Sequence, residues 1–359
     1  MTAGTLPRPV AAARTLADDL LRPQAEQVDQ GTVARSSLAA LGAAGLLGVT
    51  APAEVGGGGE PAAVGREVAE LLAGACGATW FVWTQHALPL ASLLRSPNDG
   101  LRDRRLRPLA AGSLLSGVAV AHVRRPGPPA VLASRTDGGW RFDGHVGWMT
   151  SWGLCDVFLL AAVTDDGRMV LALLDAAEQP GLTAGEPMRL AAMTATRTVT
   201  LDLAGLVVPD ADIVDVADAQ AWLAGDALKT ANPSPHTFGL QREVVRRLAD
   251  TADRRGDAVA AGLAGALGAE GERLRTEAYA LIDDVPPDEG LEDRLRVRAA
   301  SLELVVRSAT ALVTATGGSA MALDAAPQRL AREALFHLVQ AQTGPVRAAT
   351  LRRIEECAA

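Results

Sequence analysis

The amino-acid sequence predicts an α+β protein in which an N-terminal helical domain, a middle β domain and a C-terminal helical bundle follow one another. Two observations lead to this prediction. Apolar residues recur at helical spacing near both ends of the chain, and short β-branched runs bounded by Gly and Asp turns fill the segment between them. The expected boundaries are 1–110, 111–212 and 213–359, and a chain of 359 residues can bury a large core.

The N-terminal segment is expected to be helical. Residues 64–75, VGREVAELLAGA, repeat apolar side chains every three or four positions, and the glycines at 56–59 predict a loop before them. Residues 71–94 carry no formal charge. Because Gln85 and His86 interrupt this stretch, we expect a buried helix and turn there rather than a membrane span.

The middle segment is expected to form a β domain of about a hundred residues, a usual size for a domain. Its strands are predicted from four short, apolar, β-branched runs punctuated by Gly-Gly and Asp-Gly turns. These runs are SLLSGVAVAHV at 113–123, GGWRFDGHVGWM at 138–149, DVFLLAAVTDDGRMVLALLD at 156–175 and TRTVTLDLAGLVVP at 196–209.

The last segment is expected to form a helical bundle. Within residues 294–318, apolar side chains recur at steps of four and three, which places one apolar stripe on a single helix. The stripe consists of Leu295, Ala299, Leu302, Val306, Ala309 and Val313. Gly317 is the expected C-cap of this helix, and DDVPPDEG at 283–290 is expected to connect it rigidly to the helix before it.

The composition argues against several classes of protein. A net charge of −8 and a pI near 5.3 provide no basic surface, so no nucleic-acid partner is expected. Cys76, Cys155 and Cys357 are widely spaced and odd in number, which predicts reduced thiols and no metal site. Arg and Asp interrupt the apolar residues near the N-terminus, so we expect no signal peptide and no membrane anchor. Together these observations predict a cytoplasmic protein.

Four sequence words in this order resemble the acyl-CoA dehydrogenase family. DGHVGWMTSWG, 143–153, is similar to the family's Gly-x-Lys-x-Trp-Ile-Thr-Asn/Ser word, with Val146 in place of the lysine. GGSAMALDAAPQRLAREALF, 317–336, resembles the family's Gly-Gly word followed by Arg-x-x-Arg-Asp-Ala. AGLLGVTAPAEVGG at 44–57 and LDLAGLVVP at 201–209 resemble the family's N-terminal word and the end of its β domain. The resemblance covers nearly the whole chain and implies the same succession of domains.

The resemblance implies an FAD site between the β domain and the C-terminal bundle. Trp148 would stack on the flavin ring, and Thr150 and Ser151 fall at the hydroxyl positions that meet the ring edge. Trp152 has no counterpart in the family word. From the residues alone, core packing beside a strand is the favoured role for both Trp148 and Trp152, since tryptophan is usually buried for packing. The resemblance reverses this preference for Trp148 only.

The family's catalytic base is a glutamate, which this chain lacks at both usual positions. Counting from Gly317 places the first position at Ala341, and counting back from Gly239 places the second near Lys229. A histidine titrates near neutrality and could substitute. His337 is the weak candidate because it lies one helical turn before Ala341, and the further candidates are His122 and His236. Each could instead be a surface or capping histidine.

Two further departures remove family contacts to the cofactor. The family's Glu-Pro-Gly-x-Gly-Ser-Asp loop is replaced by the shorter AHVRRPGPP at 121–129, and RRGDAVAAGLAGALG at 254–268 has no Phe-Gly word. Arg124 and Arg125 in the short loop could meet phosphates of CoA or a nucleotide, although a solvated loop accounts for them too. The acidic Asp324 and Glu333 fit the family's structural frame, and we expect them to pair with arginines such as Arg329 or Arg332 rather than to be catalytic.

The resemblance therefore implies a flavin-dependent oxidoreductase that acts on an acyl-CoA or a carrier-bound acyl group with a non-standard or missing base. A monooxygenase variant belongs to the same hypothesis, because oxygenation needs no base for the α-proton. Two alternatives stay open: a non-catalytic partner subunit of a heteromeric acyl-CoA dehydrogenase, and a repurposed fold that binds no flavin. The family also implies a homodimer or homotetramer.

Overall fold

The computed structural model describes residues 6–358, and it confirms the predicted succession of a helical domain, a β-sheet and a helical bundle. The N-terminal helices are α1 (Arg8–Leu16), α2 (Arg22–Gln30), α3 (Arg35–Ala43), α4 (Ala62–Ala75), α5 (Gly77–Gln85), α6 (Ala87–Leu94) and α7 (Asp99–Ala110). One π-helical turn, Ala17–Leu21, joins α1 to α2.

The uncharged stretch 71–94 is buried but more broken than expected. It spans the end of α4, all of α5 and all of α6, with single-residue breaks at Cys76 and His86. Cys76 adopts an extended backbone, and both imidazole nitrogens of the buried His86 bind main-chain atoms of neighbouring segments. In the described part of the chain, no helix combines the length and the apolar character that a membrane crossing requires.

The middle domain is one eight-stranded sheet. Its strands are β1 (Ser116–Ala119), β2 (Val131–Thr136), β3 (Gly139–Met149), β4 (Val157–Val163), β5 (Arg168–Asp175), β6 (Leu182–Ala184), β7 (Val199–Pro209) and β8 (Ile213–Asp218). The order is β6-β7-β3-β2-β4-β5-β8, with β1 also paired to β4. β4 and β5 are buried on both faces, which explains their uninterrupted apolar sequence.

The sheet continues past the boundary expected at residue 212. β8 pairs antiparallel with β5, from Ile213 opposite Ala172 to Asp218 opposite Arg168. Its residues extend the edge of the sheet, so the first C-terminal helix begins only after Asp218.

The C-terminal bundle contains α8 (Ala219–Ala231), α9 (Pro235–Arg255), α10 (Ala258–Asp284), α11 (Leu291–Thr316), α12 (Ala326–His337) and α13 (Gly344–Ala358). Gly317 ends α11 with a φ of 76°, in agreement with its expected role. The predicted stripe on α11 is only part of the buried surface, because this helix is packed on several sides. Arg294 and Arg298 are also buried on α11, although neither belongs to the apolar stripe.

The two helical domains meet where the backbones of α4 and α9 touch. A Cβ atom added to Gly239 would lie 2.1 Å from the carbonyl oxygen of Glu70, and one added to Gly74 would lie 2.7 Å from the carbonyl oxygen of Gly239. Any larger side chain would force the helices apart. Glycine at these two positions therefore sets the spacing between the N-terminal domain and the bundle.

Buried carboxylates reinforce the same contact. The side chain of Glu70 on α4 is fully buried and pairs with Arg275 at 2.7 Å and Arg242 at 3.1 Å. Tyr279 also donates its hydroxyl to this carboxylate. Oε1 of Glu70 thus meets a cation from α10, and Oε2 meets a cation from α9. These two pairs offset the desolvation of the carboxylate.

We expect Gly239→Ala to lower the free energy of unfolding by about 1–3 kcal/mol, because the methyl group cannot fit without moving a backbone. Gly262→Ala is the matched control, since Gly262 lies within α10 with open space around its Cα. That change should stabilise the protein by roughly 0.4–1 kcal/mol. Urea unfolding of both variants measures the difference, and equal stabilities would contradict the proposed helix contact.

Candidate active site

A cavity of about 720 Å³ opens where the three domains meet. Its walls come from α5 and α6, from the β1 and β3 region of the sheet, from residues 190–193, and from α12 with the turn after it. The lining is mainly apolar, with a few hydroxyl, amide and guanidinium groups. A cavity of this size and character suits a small organic ligand.

Two of the predicted cofactor residues line this cavity. Trp148, near the end of β3, leaves 44% of its surface exposed, which is unusual for so large an aromatic residue. Thr150 is nearly buried, and its Oγ1 lies 3.2 Å from Oγ1 of Thr198, which also lines the cavity. The wall therefore offers a flat apolar ring beside a pair of hydroxyl groups.

The third predicted cofactor residue, Ser151, lies behind the wall. Its backbone has a φ of 77°, and its amide donates to the carbonyl oxygen of Thr196 at 2.9 Å. The Oγ of Ser151 is buried without a hydrogen-bond partner among the described residues. Trp152 follows and packs edge-on against Phe158 inside the sheet domain, which assigns it to the core.

The position that the resemblance assigns to the catalytic glutamate also lines the cavity. Ala341 stands in the turn after α12, with a φ of 49° that is uncommon for a residue other than glycine. Its neighbour Gln340 lines the cavity, whereas the amide of Gln342 turns back to the carbonyl oxygen of Leu338 at 2.8 Å. A glutamate at position 341 would thus reach the cavity that Trp148 borders.

No proton acceptor lines the cavity in the part of the chain that the structure describes. The lining residues include no carboxylate, imidazole, thiol, phenol or amine, and the charged members are Arg124 and Arg332. A guanidinium group offers hydrogen-bond donors and no acceptor, so neither side chain can take a proton from a substrate. A reaction in this cavity that requires removal of a proton has no general base among its walls.

The weak candidate for a base, His337, is buried in an aromatic cluster rather than exposed to the cavity. Its ring lies 4.7 Å from that of His236 and 5.4 Å from that of Trp80, measured between centroids. Burial, assisted by the charge of Arg298, lowers the pKa of His337 to about 3. Burial also lowers the pKa of His236. These histidines are therefore neutral core residues, not the surface or capping groups that were the alternative.

The other two candidates lie elsewhere. His122 is buried with Nε2 2.9 Å from the carbonyl oxygen of Ala161, and burial lowers the pKa of its imidazole. Lys229 is exposed on α8. Neither side chain is among those that line the cavity.

The acidic residues of the 317–336 word divide into two cases. The buried Glu333 pairs with Arg329 at 2.7 Å, as predicted. The prediction for Asp324 is wrong: it is exposed and makes no ion pair within residues 6–358, because Arg332 instead pairs with Asp29 of α2 at 2.5 Å. This second pair fixes α12 against the N-terminal domain.

The short loop 121–129 is only partly solvated. Arg124 lines the cavity and donates Nε and Nη2 to the two carboxylate oxygens of Asp226 on α8, at 2.7 and 2.8 Å. Arg125 is exposed, as a solvated loop predicts. The Asp226 contact was not predicted, because no pattern along the chain relates a loop before β2 to a helix a hundred residues later.

Two phenylalanines were also missed. Phe81 of α5 and Phe336 of α12 line the cavity and meet edge to face at 4.7 Å between ring centroids. They separate the cavity from the cluster of Trp80, His236 and His337. Phenylalanine is scarce in this chain, which has five, and this scarcity is the signal by which sequence analysis could have selected them.

Comparison with known proteins gives a family match over the N-terminal part of the chain and a fold match over nearly all of it. Residues 9–113 match the model of the acyl-CoA dehydrogenase N-terminal domain. The structure of the glutaryl-coenzyme A dehydrogenase glutaryl-CoA complex has a TM-score of 0.83, with 18% identity over 95% of this chain and 93% of that chain. The chain therefore has the acyl-CoA dehydrogenase fold. Butyryl-CoA dehydrogenase from Megasphaera elsdenii has a TM-score of 0.81, with 15% identity over 99% of this chain and 100% of that one.

One curated relative matches only part of the chain. Benzylmalonyl-CoA dehydrogenase of Aromatoleum aromaticum is 24% identical over 198 residues, which are 54% of this chain and 52% of that protein. The chain thus spans about half the length of the curated relative that it matches. These identities establish an acyl-CoA dehydrogenase fold and do not transfer the substrate of any relative.

The acyl-CoA dehydrogenase fold implies a flavin, and the cavity wall fits the ring of this group. The half-exposed indole of Trp148 offers a stacking surface, and the Thr150 and Thr198 hydroxyls offer hydrogen bonds at its edge. Ser151 follows Thr150 in the chain, and its buried Oγ has no hydrogen-bond partner among the described residues. The donor set therefore suits a flat, weakly polar ring with hydrogen-bonding edges.

The buried histidines predict a loss of stability in acid. Folded His337 stays neutral to about pH 3, whereas an unfolded histidine takes up a proton near pH 6.5. Between these values the unfolded state binds more protons, so stability falls as the pH falls. From near pH 7.5 to near pH 5, we expect His337→Asn to lose about 2 kcal/mol less than the natural protein.

Urea unfolding at the two pH values measures this difference. Phe336→Leu is the control, because it disturbs the same aromatic cluster without removing a titratable group. It should lower stability at both pH values and keep the natural pH dependence. An unchanged pH dependence in His337→Asn would refute the buried neutral state.

Proposed function

We propose that this protein is a flavin-dependent oxidoreductase that acts on an acyl-CoA or a carrier-bound acyl group without the carboxylate base of its family. The observation that carries the proposal is the cavity shared by Trp148, Thr150 and Ala341. These are the positions to which the family resemblance assigns flavin stacking, flavin hydrogen bonding and the missing base. The apolar remainder of the wall supports an acyl chain as the ligand.

Trp148, Thr150 and Thr198 would hold the flavin ring, and the adjacent Ser151 would support them from behind the wall. A bound flavin supplies two-electron oxidation at this place. The residues of the chain then orient the substrate and exclude water. Phe81, Phe336 and the residues around Val118 provide apolar surface for that purpose.

The wall also restricts the reaction. Desaturation of an acyl thioester requires a group that removes the α-proton, and the described wall carries none. The proposal therefore favours an oxidation in which the protein does not abstract this proton, including the oxygenating variant. Arg124 and Arg332 are the charged groups available to orient a substrate.

Flavin retention is the first test. The purified protein should show a visible flavin absorption band after FAD is added and excess is removed by desalting. Trp148→Ala should weaken FAD binding by about tenfold, since aromatic stacking beyond simple burial contributes about 0.5–1.5 kcal/mol. Trp152→Phe is the matched control, because Trp152 packs within the sheet domain, and it should retain the band. A colourless protein that refuses added FAD would refute the proposal and favour a repurposed fold that binds no flavin.

Restoring the base is the second test. Ala341→Glu places a carboxylate at the cavity, and we expect acyl-CoA desaturation to rise by about 10²-fold or more above the natural protein, the usual contribution of a general base. Gln342→Glu is the control, because residue 342 is close in sequence but does not line the cavity. Desaturation by the natural protein at a rate equal to the Ala341→Glu variant would contradict the missing-base interpretation.

The wall without a proton acceptor also favours a second candidate function, a non-catalytic partner subunit of a heteromeric acyl-CoA dehydrogenase. In that assembly another chain would supply the base. Co-expression with a complete homologue encoded nearby, followed by size-exclusion chromatography, tests this candidate. A homodimer or homotetramer is the proposed assembly otherwise, and it is supported by the exposed Leu351 and Ile354 on α13.

A further inference from the structure

Two arginines and one carboxylate form a charged group at one end of the cavity. Arg124 lines the cavity, Asp226 on α8 holds it, and Arg298 on α11 binds the end of the same helix α8. The group carries two positive charges and one negative charge. This charged group therefore has one positive charge in excess, next to a wall that is mainly apolar.

The ion pair with Asp226 fixes the guanidinium group of Arg124 but occupies only two of its three nitrogens. Asp226 accepts from Nε and Nη2, which is the side-on fork geometry of a bidentate pair. Among the described residues no hydrogen-bond partner takes the protons of Nη1. The pair thus holds the guanidinium rigidly and leaves one nitrogen for a ligand. Arg332, the other charged wall residue, differs because both of its Nη atoms have close oxygen partners.

Arg298 supplies the uncompensated charge. Its side chain is buried, and its Nη atoms donate to the carbonyl oxygens of Thr230, Asn232 and Gln340. Within residues 6–358 it makes no ion pair, and its Nε is buried without a partner. Burial and the charge of Arg124 lower the pKa of Arg298 to about 10, so it stays charged at neutral pH.

The two guanidinium groups lie close together and close to the cavity. Asp226 and Thr230 are one turn apart on α8, a rise of about 6 Å. Gln340, whose carbonyl oxygen binds Arg298, itself lines the cavity. The negative end of α8 offsets only about half a charge. An anion in the cavity near Arg124 would complete the compensation.

We propose that the acyl group bound in this cavity ends in a carboxylate, which Nη1 of Arg124 binds while Arg298 behind Gln340 provides the compensating positive charge. This inference rests on the proposed function, because it names the substrate class of the same cavity. One carboxylate carries the single negative charge that the group lacks. A phosphate monoester would bring close to two charges and would be left partly uncompensated.

Calorimetric titration of the purified full-length chain tests the inference. Glutaryl-CoA and adipoyl-CoA end in a carboxylate, and pentanoyl-CoA and hexanoyl-CoA have the same chain lengths and end in a methyl group. Free CoA is the fifth probe. We expect the carboxylate-ended thioesters to bind at least about tenfold more tightly than the methyl-ended ones, since a hydrogen bond to a charged group is among the stronger contacts.

Three variants assign the preference to a residue. Arg124→Gln should abolish the preference for the carboxylate, because it should weaken binding of the carboxylate-ended thioesters by at least about tenfold more than binding of the methyl-ended ones. Arg125→Gln is the matched control, because its exposed side chain lies next in the same loop and outside the cavity wall. Asp226→Asn releases one partner of Arg124, and it should strengthen the preference if that arginine binds the carboxylate.

The outcomes separate this inference from the proposed function. Equal binding of both thioester classes by the natural protein would overturn the carboxylate assignment and leave the acyl-thioester proposal intact. If Arg124→Gln weakens free CoA as much as the thioesters, Arg124 binds CoA phosphates and the inference is wrong. If none of the thioesters binds while the flavin band is retained, the proposed substrate class fails, and the inference fails with it.

Discussion

The backbone contact between α4 and α9 determines the geometry of the rest of the molecule. Gly74 and Gly239 allow the two helices to touch, and the buried Glu70 carboxylate between α4, α9 and α10 locks the contact. α5 follows α4 directly, so this contact also sets where the N-terminal wall of the cavity lies. A glycine pair thus controls the width of a cavity formed by three domains.

Charge is concentrated at the seams between the domains. Glu243 on α9 is almost fully buried and is surrounded by Arg22, Arg246 and Arg247 at 2.5 to 2.8 Å. Burial favours its neutral form, yet these guanidinium groups hold the pKa of Glu243 below its ordinary value. The carboxylate is thus charged and fully paired. The carboxylate of Glu243 at the contact between the domains is thus paired with arginines. By contrast, the guanidinium group of Arg298 near the end of the cavity makes no ion pair within residues 6–358, and its charge stays uncompensated there.

No carboxylate lines the cavity within the part of the chain that the structure describes, and this restricts the chemistry that the cavity can support. The fold brings Trp148 and Thr150 to a wall that also includes Ala341. The buried histidines nearby do not replace the base, because burial lowers their pKa values and Phe336 separates His337 from the cavity. The cavity thus combines an exposed indole, two hydroxyl groups and a mainly apolar wall, and no general base lines it within residues 6–358.

The sequence by itself determined the succession of domains, the runs that form β1, β3, β4, β5 and β7, and the positions 148, 150 and 341 that line one cavity. These are local features, since hydrophobic period, turn residues and short words are written in neighbouring positions. Only the tertiary structure decided that His337 is buried, that Arg124 pairs with Asp226, and that Asp324 makes no ion pair with any of residues 6–358. Those facts depend on which distant segments meet and on how much water the contact excludes, and neither quantity is encoded in the spacing of residues along the chain.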